Sequence, residues 1–502
     1  MFDLPTSMGD TESERFLVAL CKHSFLRLWS YPNTYTDEGL REGKASSGNE
    51  FADVLVVFGN DVIIFSDKDV RFNATIPLET AWPRWFKSAV TKSVRQLYGA
   101  RSWALRFPER IFLDATCRRP LPAKLPTGPE VRIHLVATTR GSVEACAKLY
   151  QGSFGSHLIN TGIVGEAHRE HAFTIGRLDP AKPFVHVFDE LTLERVLKER
   201  DTAVDFIAYL KAREAFLTTP NLTVVAAGEE QLLAAYLSNM RDGQHWFLPS
   251  HLDATTTNML WFDESHWAHL AERPEYRAKK RADRHSYVWD ALVDRFIALG
   301  DPALLGQLLP TNDLEYALRI IAGKSRFERR FLTDALSEAM RASESTPGLR
   351  RFRLFTTLQE PEIVFVFLIE PMVAGEAYET YRQRRAAVLH TYLQCSPLRM
   401  AEATMFVGMA FDHPIKVYGG FSEDLIVYRL QEGGVTNREE LRRIADDLGI
   451  LSESLPLQHR HTQDFPAVRH ERVAAPDKPY SASENKSKIR RKMARASRKK
   501  NR

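Results

Sequence analysis

Nowhere in the 502 residues is there an unbroken apolar run of about 18, so the sequence offers no membrane-spanning helix. Cysteine is scarce. Cys21, Cys117, Cys146 and Cys395 lie far apart with no CxxC, which excludes a disulfide framework and a cysteine-based zinc site and fits a reducing compartment. The opening MFDLPTSMGDTESERF carries acids where an export leader would carry a basic stretch and an apolar core, so a cytoplasmic location is expected. Gly152-Ser153-Phe154-Gly155-Ser156 lacks the lysine ending of a phosphate loop, and His168 with His171 lacks a third ligand. What is present, 44% hydrophobic and 26% charged residues, excludes a wholly disordered chain. At this length more than one hydrophobic core is expected.

Charge is unevenly placed. The chain has 68 basic and 64 acidic residues, but 486–502 alone hold ten Lys or Arg and no acid, leaving 58 basic against 64 acidic, or −6, elsewhere. This tail, with Lys488, Arg490, Arg491, Lys492, Arg495, Arg498, Lys499 and Lys500, is the expected nucleic-acid contact, since such a cluster releases counterions from phosphates. Arg326, Arg329 and Arg330, with Arg319 nearby, share one helical side and suit either phosphates or an exposed salt-bridged face.

Apolar spacing predicts a helix from Glu12 to about Trp29, ended by a Tyr31-Pro32-Asn33 turn. Val54–Phe58 and Val62–Phe65 flank Gly59-Asn60-Asp61 and read as a hairpin buried on both faces. A helix from Trp85 to about Tyr98 follows, then strands at 110–113 and 131–137, an α-β-β-α-β order. A strand at 184–188, a mainly helical stretch and a second α/β segment from about Arg351 complete the pattern, with 457–485 polar enough for a linker. The expected division is 1–145, 146–345, 346–456, and 457–502 as linker and tail.

Chemistry collects at the open end of the hairpin, where Glu50 and Asp53 precede the first strand's core and Ser66-Asp67-Lys68 closes the second. Charged groups there are costly unless paired or used. With Asn60-Asp61 as the turn, Asp53 stands opposite Lys68; with Gly59 to Asp61 as the loop, it faces Asp67.

The Asp53 and Lys68 placement resembles the PD-(D/E)xK nuclease superfamily, the restriction-endonuclease-like fold. Lys92-Ser93-Val94-Arg95-Gln96-Leu97-Tyr98-Gly99 resembles the glutamine motif of its RecB-like and Mrr-like members. The resemblance covers about residues 10–140. It implies a restriction-endonuclease-like α/β core, a metal site of Asp53 with Glu14 (or Glu12), Asp67 and Glu50, and catalytic roles for Glu14, Asp53, Asp67, Lys68 and Gln96. Ser66 departs from the pattern by occupying the acid's position. Asp67 through a bulge, or Glu50 or Glu79 as a displaced acid, would fill the role, or the site is inactive.

The resulting expectation is a Mg²⁺-dependent nuclease (Mn²⁺ as alternative) acting on DNA, in the manner of defence against foreign DNA. The other readings are an inactive nuclease fold serving as a nucleic-acid-binding or scaffold module, and an RNA-associated factor held by its tail. A protein partner or a second copy of the chain completes the expected partners.

Overall fold

In the computed structural model of the chain the described residues run from Gly9 to Pro466, leaving out 10, 41–42, 44–45, 152, 242, 254–255, 300–310, 347, 358, 415–421, 431–436 and 452–462. The basic tail therefore lies outside the described residues.

The protein is mixed α/β. It opens on α1 (Glu12–Trp29), capped by Thr11, whose Oγ1 accepts the Glu14 N–H. Three antiparallel strands follow, β1 (Ser30–Thr36), β2 (Asn49–Phe58) and β3 (Asp61–Asp69). The first was not expected, because Pro32 and Asn33 read as a turn. Pro32 sits opposite Val54, while the strand on the other side of β1, β4 (Ile111–Phe112), meets only Tyr35 and Thr36. At Pro32 the strand is thus an edge, where a missing N–H is tolerated.

The hairpin pairs Phe58 with Asp61, so its turn is Gly59-Asn60. Gly59 supplies the positive φ of 60° that a two-residue hairpin turn needs at its first position. Val54 consequently faces Phe65, which displaces both expected registers and sets Asp53 beside Ser66 rather than Lys68 or Asp67.

Next come α2 (Leu78–Phe86), a π-helical turn at 87–91, α3 (Lys92–Arg106), β5 (Arg132–Arg140), α4 (Val143–Leu149), β6 (Leu158–Val164), β7 (Thr174–Arg177) and β8 (Val185–Asp189). Pro83 lies inside α2 instead of preceding the helix. The first sheet has the order β4-β1-β2-β3-β5-β8, with β3, β5 and β8 mutually parallel. The expected boundary at 145 therefore cuts this sheet short of β8.

Both sheet faces are covered, which explains the nearly continuous apolar strands. Val54, Val56, Ile63, Phe65 and Val136 pack toward α1 and the later Phe206. Leu55, Val57, Val62, Ile64 and Leu135 pack toward Trp82, Val90, Val94 and Leu97 of the α2–α3 tract.

The middle region is α5 (Glu190–Glu199), α6 (Ala203–Leu217), β9 (Thr223–Ala226), α7 (Glu229–Ser238), β10 (Met240–Arg241), β11 (Gln244–His245), β12 (Met259–Phe262), α8 (His266–Glu272), α9 (Pro274–Leu299), α10 (Thr311–Ala322) and α11 (Arg326–Glu344). Its β9 and β12 join the earlier β6 and β7 in a second sheet, β12-β9-β6-β7, while β10 and β11 pair as a short ribbon. Arg326, Arg329 and Arg330 are buried here, contrary to both expectations for them. Arg326 pairs with Asp201 and Asp290, Arg329 with Asp290, and Arg330 with Asp283. None of the three faces solvent.

A third sheet closes the described chain: β13 (Arg351–Thr356), β14 (Ile363–Glu370), α12 (Tyr378–Cys395), β15 (Met405–Asp412), β16 (Glu423–Arg429) and α13 (Arg438–Asp447). Residues 463–466 fall in the expected linker yet are anchored, with the Asp464 carboxylate between Lys279 and His245. Among the described residues no helix is long and apolar enough to cross a membrane.

Candidate active site

Alternation along β3 sends Ser66 and Lys68 to the α3 side and Asp67 to the α1 side. Asp53, two residues before Leu55 on β2, also faces α3. Its carboxylate is 3% exposed and accepts the Asp67 backbone N–H at 2.7 Å.

Glu50 joins it by an irregularity. The β1–β2 pairing runs Thr34 to Ala52 and then Tyr35 to Glu50, so Phe51 is an extra residue. In a regular strand residues 50 and 53 would occupy opposite faces, but this bulge breaks the alternation. The Glu50 and Asp53 carboxyls are hydrogen-bonded to each other. Burial and the neighbouring Glu50 charge push the Asp53 pKa up to about 8, although Lys68 and the Asp67 amide pull the other way. Two carboxyls in such contact favour the protonated form of the more buried one, here Asp53.

Lys68 is half-buried and forms no ion pair within 4 Å among the described residues. Gln96 of α3 reaches the same side: Ser66 Oγ donates to Gln96 Oε1 at 3.2 Å, and Ser93 Oγ donates to the Ser66 carbonyl at 3.4 Å. Helix and strand are thereby fixed to each other directly behind Lys68.

Asp67 does not belong to this group. Its side chain is fully buried on the α1 side, accepting from Arg140 Nε at 3.2 and 3.3 Å and bonding to Ser13. Burial raises the Asp67 pKa, opposed by Arg140 and Ser13. Arg140 lies 5.0 Å from the Phe16 ring centre, so Asp67 ties β3, β5 and α1 together. Glu14 sits in the α1 first turn next to Ser13, on that side of the sheet. Glu12 and Glu79 are exposed in the first turns of α1 and α2. Of the five expected catalytic residues, Asp53, Lys68 and Gln96 come together, and Glu50, expected among the metal ligands, lies beside Asp53.

The group fits a hard divalent ion. Glu50 and Asp53 are oxygen donors of the kind that Mg²⁺ and Mn²⁺ prefer, and a cation in place of the Asp53 proton would relieve the repulsion between them.

A second cluster went unseen in the sequence because its members come from three distant elements. His134, His186 and Glu214 bring ligand atoms within 4.8 Å of one another. Hydrogen bonding decides against a metal there. His134 Nε2 meets the Asp61 carboxylate at 2.9 Å, leaving Nδ1 with a lone pair. Arg213 Nη1 can only donate, so His186 Nδ1 accepts from it at 3.3 Å and Nε2 carries the proton, buried without a partner. His186 thus presents a proton where a ligand needs a lone pair.

Comparison with known proteins adds no name: no family model, curated protein or solved structure matches the chain.

Proposed function

We propose that the protein is a divalent-metal-dependent nuclease with a restriction-endonuclease-like core, hydrolysing phosphodiester bonds of DNA. The observation that carries this reading is the Glu50–Asp53 carboxyl pair beside Lys68, which has no ion-pair partner among the described residues, on adjacent antiparallel strands. The α-β-β-β-α-α-β-β order from Glu12 to Arg140, which contains the expected α-β-β-α-β succession, supports it, as does Gln96 on the helix behind the lysine.

Glu50 and Asp53 would hold the ion once the Asp53 proton leaves. A bound Mg²⁺ or Mn²⁺ polarises the phosphoryl group and lowers the pKa of a coordinated water. Lys68 orients the attacking water and offsets charge growing on the phosphate. Gln96, through Ser66, keeps β3 and α3 in register and so positions Lys68. The remainder of the chain would select substrate, and a role in defence against foreign DNA is the proposed setting.

The test is cleavage of plasmid and linear DNA by wild type and Lys68→Ala with Mg²⁺, Mn²⁺ or EDTA. Metal-dependent cutting by wild type alone supports the reading; no cutting by folded wild type with either metal would falsify it. One observation favours a second reading, a nucleic-acid-binding or scaffold module without activity. Ser66 occupies the acid's place and spends its hydroxyl on Gln96. Under that reading neither ion changes the melting temperature.

A further inference from the structure

From Thr80 to Pro108 the chain contains no acidic residue and six basic ones: Arg84, Lys87, Lys92, Arg95, Arg101 and Arg106. Elsewhere, outside the tail, acids outnumber bases. The folded protein gathers the six along α2 and α3, whose buried residues Val94, Leu97, Ala100 and Ala104 face the sheet. Lys92, Arg95, Gly99, Ser102 and Arg106 then form one exposed stripe at helical spacing, with Arg84 and Lys87 extending it toward α2. None of the six makes an ion pair among the described residues, and Arg106 lies 5.2 Å from the centre of the Phe107 ring.

Such a one-signed stripe sets up a positive local potential that attracts a polyanion. Gly99 interrupts the stripe with open space around it, and Ser102 adds a second small side chain, so a strand can approach the helix backbone between the charges. Beside the stripe lies a groove of about 230 Å³ lined by Tyr98, Arg101, Ser102, Leu105, Arg106 and Lys182. The Tyr98 ring, held by a hydrogen bond from its hydroxyl to the Pro183 carbonyl, borders the groove with the Lys182 ammonium 5.0 Å from its centre, which adds a seventh positive charge beside the stripe. At 1.5 Å per residue the span from Lys87 to Arg106 is about 29 Å, enough for several consecutive phosphates.

We infer that the exposed face of α2 and α3 is a track for the phosphodiester backbone of a nucleic acid, leading to the Lys68 end of the sheet. Gln96 marks the junction, because it belongs to α3 yet bonds the strand that carries Lys68. The inference deepens the nuclease reading by placing its substrate, and its test is independent of cleavage.

The experiment is fluorescence anisotropy of the full chain with labelled 30-nucleotide single strands and duplexes, in EDTA, across a range of salt. The variants are Arg95→Gln/Arg101→Gln/Arg106→Gln and the charge-keeping Arg95→Lys/Arg101→Lys/Arg106→Lys. Loss of three phosphate contacts should weaken binding about tenfold or more at moderate salt and reduce the logarithmic salt slope by about 2–3. The lysine variant should retain the wild-type slope. The two probes tell whether single or double strands use the track. A glutamine variant with an unchanged slope for both probes overturns the inference, even if the enzyme cuts. A flattened slope with no metal-dependent cutting upholds the track and removes the nuclease.

Discussion

The Asp53 carboxylate accepts the backbone N–H of Asp67 at 2.7 Å, while the Asp67 carboxylate lies on the other side of the sheet against Arg140. Adjacent in space, the two acids have opposite occupations. One lies beside Glu50 with its pKa raised by burial and by that neighbouring charge, and the other is paired with an arginine.

Substitution should separate them. Asp67→Ala leaves Arg140 without its carboxylate partner in a largely buried position and is expected to cost about 3 kcal/mol. Asp53→Asn keeps an oxygen for the Asp67 amide and offers N–H groups to Glu50, imitating the protonated acid. It should leave the metal-free protein as stable as wild type or more so by about 1–2 kcal/mol at neutral pH while abolishing cleavage. Urea titrations in EDTA decide the matter; a more damaging Asp53→Asn than Asp67→Ala would contradict the assignment.

The pH dependence follows from Asp53. Its pKa is raised in the fold, to about 8, so the folded state holds this proton more tightly than the unfolded chain does. The stabilisation is complete below the ordinary carboxylate range near 4 and is lost as pH rises through about 8. Without metal, the melting temperature of wild type should fall relative to Asp53→Asn across that window. Mg²⁺ binding should release about one proton at neutral pH, measurable by calorimetry in two buffers of different ionisation enthalpy. Equal heats in the two buffers would count against the raised Asp53 pKa.

Glu50 as the displaced acid predicts a rescue. Glu50→Gln should lower cleavage at least a hundredfold, and adding Ser66→Glu, which restores an acid on the strand beside Asp53, should recover part of it. If the double variant folds and binds Mn²⁺ no better than Glu50→Gln, the second ligand is not Glu50.

Far from the site, Asp464 should matter for stability alone. Its carboxylate is buried, yet His245 and Lys279 hold its pKa well below the usual range. That contribution is present above the unfolded carboxylate pKa and fades as pH falls through the folded one. Asp464→Ala leaves His245 without its carboxylate and Lys279 with Asp283 alone, and is expected to cost about 1–3 kcal/mol in a denaturant titration, with DNA binding unchanged.

Strong local patterns were readable. The hairpin, the α3 glutamine, the last sheet's β14 and α12, and the Asp53–Lys68 neighbourhood all announce themselves in a few consecutive residues. What escaped depended on single-residue geometry or on distance along the chain. Gly59 claims the first turn position, which moves the register past both expected pairings. Pro32 disguises a strand that has no partner on that side. Phe51 is inserted into β2, and only that insertion unites Glu50 with Asp53. The α3 stripe went unread: the 92–99 motif drew attention to Gln96, while the absence of acids from 80 to 108 has no local signature.

One continuous apolar core runs from Leu17 and Phe25 of α1 through Phe206, Trp289 and Leu318 to Phe367 and Met409 of the last sheet. Trp29 of α1 also donates its indole N–H to Glu315 of α10 at 2.9 Å. The first sheet is therefore not a detachable cartridge. A fragment ending at 145 would bare the side of its sheet that Phe206 covers, and would aggregate before it could be assayed. Dissection of this protein belongs to point substitutions in the intact chain, where a silent truncation would otherwise pass for a missing activity.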